Sequence, residues 1–461
     1  MADTNPISNP RDHEKVVESS SGKNKTDGKD KKSSITGDED CVKAPNVTED
    51  EIGGESGLAR TLEYPEGGLR AWLVVFGCNL LMFSTFGMAN SWVFQEYYSR
   101  TILSGQSPSN IAWIGSVQIS LSLMPAIISG RLFDIGYYQG TNILATGILV
   151  ISTFVVGECK KYWQFMLAQG FAVGISSGFL FGPTFAVAAN YFHKRRPFVF
   201  GLISIGSSVG GTVLPIVTRT LIPKVGFPWT MRILGFLLLL TTGMATLLLK
   251  RRLSPTNVKG GLFNLPAFKL LHFTLYYISC TTIYLGLFTL LTYLDIAAIE
   301  AAKIPVDLAF YLVALANACS GIGRLVSGIL AGWYGPVNML GCFVAIAAMM
   351  TYVWPYCLNL GSLIFVSIVY GVAVGAFVGL VGTPLSHPKF GAQGDMGRRT
   401  GMLFTCGSIG ILCGAPISGV IRDATGGYEA VGGFAGSILV LSVVLMFAAK
   451  WVATGSPWGK F

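Results

Sequence analysis

One arginine, Arg324, sits well inside a segment, Ala309–Gly332, that is otherwise apolar enough to cross a membrane. A guanidinium in hydrocarbon costs anywhere from ~3 to ~15 kcal/mol, so its place there needs a chemical reason. At helical spacing it shares a face with Asn317, Ser320, Gly321 and Gly328, while Leu312, Leu315, Ile322, Val326 and Ile329 fall mainly elsewhere. That stripe is small and polar, suited to lining a cavity. The chemistry it offers is anion recognition: a guanidinium forks N–H groups onto a carboxylate, and a low dielectric strengthens the contact. The competing reading ties the arginine to backbone carbonyls or an interhelical network.

A second group that could act is Asp134, in the stretch Gly130-Arg131-Leu132-Phe133-Asp134 that follows an apolar segment. A carboxylate there can accept hydrogen bonds from a neighbouring helix N-terminus or a basic side chain, latching one end of a helical bundle. The plainer alternative is a solvated loop whose basic residues only set orientation. Other chemistries find no support. There is no phosphate-cradling loop, the four histidines (His13, His193, His272, His387) form no cluster, and the nine cysteines show no metal-ligand spacing. The sequence therefore predicts no catalytic or metal site, no cofactor and no ATP-driven step.

The elements that must position these residues follow from composition. The 461 residues are 51% hydrophobic and 12% charged, with a mean hydropathy of +0.56; soluble domains carry about 25% charged residues. After a polar stretch come twelve apolar segments of ~17 to 28 residues, each long enough to span ~30 Å of hydrocarbon. The basic residues Arg131, Lys194, Arg195, Arg196, Lys250, Arg251, Arg252, Arg398 and Arg399 fall in loops on one side. That bias places both termini in the cytoplasm. It also accounts for most of the +9 net charge, without a case for nucleic-acid binding.

The expected fold is an all-α membrane protein of 12 transmembrane helices in two six-helix bundles. Residues 1–68 read as a disordered cytosolic tail, 69–250 and 268–452 as the bundles, 251–267 as a cytosolic central loop, and 453–461 as a short tail. Glycine ridges in spans four, ten and eleven suit close helix packing, with sliding between helices as the alternative.

Two stretches carry a family resemblance. Tyr64-Pro-Glu66-Gly67-Gly68-Leu-Arg-Ala-Trp72 enters span one, and Tyr191-Phe192-His-Lys194-Arg195-Arg196 separates spans four and five. With twelve spans and the Gly130–Asp134 stretch, they resemble the major facilitator superfamily, and within it the monocarboxylate porter family, particularly its fungal members. The resemblance implies a cavity lined by helices one, four, seven and ten, making Asn90, Tyr284 and Tyr370 plausible contacts beside Arg324, Asn317 and Ser320. It also implies that Gly130, Arg131 and Asp134 gate the inner side together with Lys194, Arg195 and Arg196. Two features depart from that family: Ser320 stands where an acidic residue precedes the arginine, and span one has no lysine, with Met88 nearest the matching place. The proton-and-lactate mechanism therefore does not simply transfer, and coupling to protons stays open.

The expected activity is secondary active transport of a small organic, carboxylate-bearing metabolite by alternating access, with export of a fungal secondary metabolite as the favoured direction. Uptake of a monocarboxylate or vitamin-like nutrient is the alternative, and a non-transporting membrane sensor the alternative of another class. The implied partners are the lipid bilayer and an organic anion. The plasma membrane is the expected location, an organelle membrane the second choice.

Overall fold

A computed structural model describes residues 66–89, 97–106, 108–250, 252, 261–262, 264–387, 390, 396–456 and 459, all within one compact unit, Glu63–Phe461. The expected tail up to residue 65 and most of the expected central loop lie outside the described residues, as does Asn90. Among those described there are helices and no strands.

Eleven helical stretches are long and apolar enough to cross a membrane. They are α1 (Leu69–Ala89), α2 (Trp113–Ile135), α3 (Tyr138–Val156), α4 (Tyr162–Ala189), the run Arg196–Leu248, which divides into α5 (196–225) and α6 (227–248), α7 (Leu271–Glu300), α8 (Leu308–Tyr334), α9 (Pro336–Tyr356), α10 (Leu360–Leu380), α11 (Gly397–Thr425) and α12 (Glu429–Thr454). A straight 53-residue helix would be ~80 Å long, more than twice the hydrocarbon thickness. It is not straight. Gly226, between Pro223 and Pro228, adopts φ 78 and ψ 164, a backbone region open to glycine. The two legs then lie along α1 in opposite directions. On α5, Leu202 and Ile203 accept from the Asn79 amide and Gly210 abuts Gly87; on α6, Thr241 shares a 2.7 Å hydrogen bond with Ser84 and Leu248 abuts Gly77.

Two boundaries differ from the sequence expectation. The Gly130–Asp134 stretch is the last part of α2, not a loop; the turn comes at Gly136, whose φ of 103 forms a left-handed cap closed by Gly136 N–H to Phe133 and Tyr137 N–H to Leu132. Span seven, read from the sequence as the apolar stretch Phe268–Tyr293, continues as α7 to Glu300. Asp295 and Glu300 are thus helical, and Glu300 is not simply solvated: Arg422 pairs with it at 2.5 Å and the Tyr428 hydroxyl donates to it at 2.6 Å.

The bundle presents an apolar exterior, as a lipid solvent demands. Leu247, Phe236, Trp333 and Leu144 face outward, while buried hydroxyls of Thr85, Thr153, Thr218 and Thr242 bond the carbonyl four residues back. The glycine ridges pack closely against neighbouring helices. In α4 they meet α2 (Gly178 on Pro125), in α10 they meet α8 (Gly375 on Ser320), and in α11 they meet α7 (Gly410 on Thr281).

Candidate functional site

Helices α1, α4, α5, α7, α8, α10 and α11 converge on a cavity. Arg324, only 5% exposed, lines it from α8 and is the one charged residue among the lining residues described. Glycines on two sides bring backbone close around it: Gly201 of α5 lies against the Arg324 carbonyl, and Gly379 of α10 against its Cα and Cβ. The guanidinium is held on one edge. Nη1 donates to the Ser204 carbonyl and the Ser207 hydroxyl of α5. Nε is sealed from solvent without a hydrogen-bond partner, and neither Nε nor Nη2 bonds any described residue. The backbone and interhelical tie weighed from the sequence is present at this side chain. Nη1 is tied to a carbonyl and a hydroxyl, and the Nε/Nη2 fork retains its capacity to donate.

Other groups around the cavity are also unspent. The Asn317 amide and the Tyr284 hydroxyl line it and make no hydrogen bond among the described residues. Ser320, by contrast, is committed: its hydroxyl lies 2.7 Å from that of Ser208 and donates to the Asn317 carbonyl at 2.7 Å. Arg324, Asn317, Ser320 and Tyr284 are therefore brought together. Tyr370 stands apart, fully buried, its hydroxyl donating to the Leu287 carbonyl of α7 while its neighbour Gly371 reaches the cavity. The residues that sequence reasoning missed are Ser207 on α5, Phe181 and Phe185 on α4, and Phe404 on α11. Phe181 and Phe185 flank a Gly-Pro-Thr sequence in a helix already expected to line the cavity. For Ser207 and Phe404 no local signal existed.

The candidate gate assembles at the end of α2. Asp134 is buried and its Oδ2 accepts from the backbone N–H of Arg398 at 3.0 Å, in the first turn of α11. Amides of a first turn lack partners within their helix, and a carboxylate there also meets the positive end of the helix dipole. Gly130 and Gly397 pack backbone to backbone beside this contact, and Gly401 sits on the Ala126 carbonyl. Arg131 is half-buried in the same turn. The basic trio does other work. Lys194 and Arg195 have exposed side chains without a partner among the described residues. Arg196 bonds the Phe192 carbonyl at 2.7 Å and the Ala189 carbonyl at 3.1 Å, capping the end of α4.

The two entry motifs, read separately in the sequence, fold onto each other. Glu66 accepts from the backbone N–H groups of His193 (2.8 Å), Lys194 (2.6 Å) and Arg195 (3.4 Å), its own N–H donates to the Tyr191 carbonyl at 3.2 Å, and Trp72 rests 5.4 Å from Phe192, ring centre to ring centre. Partial burial pushes the Glu66 carboxyl up, but the three amides outweigh it and hold it below its ordinary value. His193 is held below the usual imidazole value by its own partial desolvation and by Arg196.

A helical bundle that converges on an enclosed cavity, with donors aimed inward and lipid-facing apolar walls, is the architecture of a small-molecule carrier. The chain belongs to the Major Facilitator Superfamily, whose family model matches residues 72–388, and it is a membrane transporter of that superfamily. It is 35% identical over 423 residues to the aspyridones efflux protein of Emericella nidulans, covering 90% of this chain and 82% of that one. It is 32% identical over 423 residues to the fujikurins efflux protein of Gibberella fujikuroi, covering 89% of each. Among solved structures, the human organic anion transporter MFSD10 superposes with a TM-score of 0.65 at 16% identity, over 82% of this chain and 100% of that one. That likeness is one of fold.

Proposed function

We propose that this chain is a secondary active exporter of a small organic anion, carried on the Nε/Nη2 fork of Arg324. The observation that carries this reading is a buried guanidinium bonded through Nη1 alone, with no carboxylate partner among the described residues. A buried charge with unused donors is costly, and an incoming acid group supplies the missing acceptors. Asn317 and Tyr284 supply further contacts. The direction rests on the relatives, several of which are named as efflux proteins, and an export role favours the plasma membrane. The substrate is a fungal secondary metabolite in this reading.

The same proposal includes twelve spans, because α5 and α6 are antiparallel legs each long enough to cross. The basic loops then put both termini and the α2–α11 contact on the cytoplasmic side. Spans one to six and seven to twelve form two bundles that rock about the cavity, with Gly130, Arg131 and Asp134 at the inner gate, which is closed here. The contact between the Glu66–Trp72 and Tyr191–Arg196 stretches supports placing the chain beside the monocarboxylate porters. No acidic residue lines the cavity among those described. The test compares metabolites inside and outside cells with and without the protein, then with Arg324→Ala. Accumulation inside at normal membrane abundance is expected; unchanged export sinks the anion site.

A further inference from the structure

The wall facing Arg324 is aromatic, and its composition narrows the substrate. Phe181 of α4 is the hub: Phe86 of α1 meets it edge-on with ring centres 4.7 Å apart, Phe404 of α11 at 4.6 Å, and Phe185 at 5.9 Å. On the α7 side, Tyr284 and Phe288 are parallel to within 3°, their centres 6.4 Å apart. All six rings line the cavity that holds Arg324. Nearby polar capacity is confined to Arg324, Asn317, Ser207, Ser320 and Tyr284. A three-carbon acid would satisfy the guanidinium and leave the rest of the cavity, with its six rings, uncontacted. An alkyl chain would fill it without using the rings' quadrupoles. A flat conjugated body does both, joining the edge-to-face cluster as a further ring while its acidic group docks on the fork.

We infer that the cavity selects an acid with a planar, conjugated body, and that Phe181 and Phe404 are the residues that read it. This rests on the anion reading above and goes beyond it, since an anion site alone would accept any acid that fits.

The experiment uses the full-length protein in detergent, with thermal unfolding followed against increasing 2-naphthoate, octanoate and 2-naphthylmethanol. Naphthoate is expected to bind about threefold to tenfold more tightly than octanoate, the margin a favourable ring contact supplies. Phe181→Leu should bring the ratio of naphthoate to octanoate affinity down towards one, with Phe404→Leu as the second test if the first variant folds poorly. Arg324→Ala should abolish binding of both acids. Equal binding of the two acids to the unaltered protein, or a preference that survives both phenylalanine changes, overturns the aromatic inference while the anion site stands. Binding of naphthylmethanol as tightly as naphthoate, or acids still bound by Arg324→Ala, instead overturns the anion reading. If no probe binds, both fall.

Discussion

Two seams close the same end of the bundle by the same packing device and carry opposite chemistry. Between α2 and α11, glycines let backbones touch, and Asp134 is satisfied by the Arg398 amide. Between α5 and α8, Gly201 and Gly328 let backbones touch, and Arg324 bonds Ser204 and Ser207 with the three N–H donors of Nε and Nη2 left over. A saturated contact can only hold or release. An unsaturated one beside a cavity can also recognise. In the proposed function the first seam is a latch, and the second couples a latch to a ligand.

The comparison is tested most severely at Arg324. Arg324→Ala should cut transport by roughly a hundredfold, as loss of a buried charge contact of a few kcal/mol implies. Arg324→Lys keeps the charge but loses the planar fork, so a drop of about tenfold in apparent affinity is expected; full activity in the lysine variant would reduce the site to a point charge. Next comes Gly397→Val. Its side chain would collide with Asp134 and Gly130, a cost of about 1–3 kcal/mol to the closed state. A cysteine placed at Thr405 should then alkylate faster from the inner side, and an unaltered rate would mean the seam does not set closure. Asp134→Asn should act in the same direction but less, by about 0.5–1 kcal/mol, because the amide oxygen still accepts while the charge at the helix terminus is gone.

The smallest effect is expected away from both seams. Glu66→Gln should lower thermal stability at neutral pH by about 1 kcal/mol. Because the carboxyl is held below its ordinary value of 4.5, its contribution is present above that value and fades as pH falls through the lowered one. The melting curves of the two proteins should therefore converge once the pH falls below that lowered value. A constant gap across the acid range would show that the clasp does not depend on charge.

Much of the fold was readable because hydropathy over some twenty residues is a strong signal, and a change of chain direction near Gly226 was marked by Pro223 and Pro228. The end of α7 was not. Asp295 and Glu300 look like loop residues until Arg422 and Tyr428, more than a hundred positions away, are seen to anchor Glu300. Arg324, Asn317 and Tyr284 were legible as polar groups where apolar ones belong. The partner of Asp134 was not, since a backbone amide leaves no trace in residue identity. Phe404 was equally silent, as one apolar residue in an apolar helix.

The turn at Gly226 has a mechanical consequence. A single residue joins α5 to α6, with helix on both sides of it, so the connection has no slack. Any tilt of α5 that frees Ser204 and Ser207 from Arg324 must drag α6 and the α3 packed on it, moving three helices as one lever. Lengthening that joint with a flexible insert should leave the cavity intact and uncouple it from the rest of the machine.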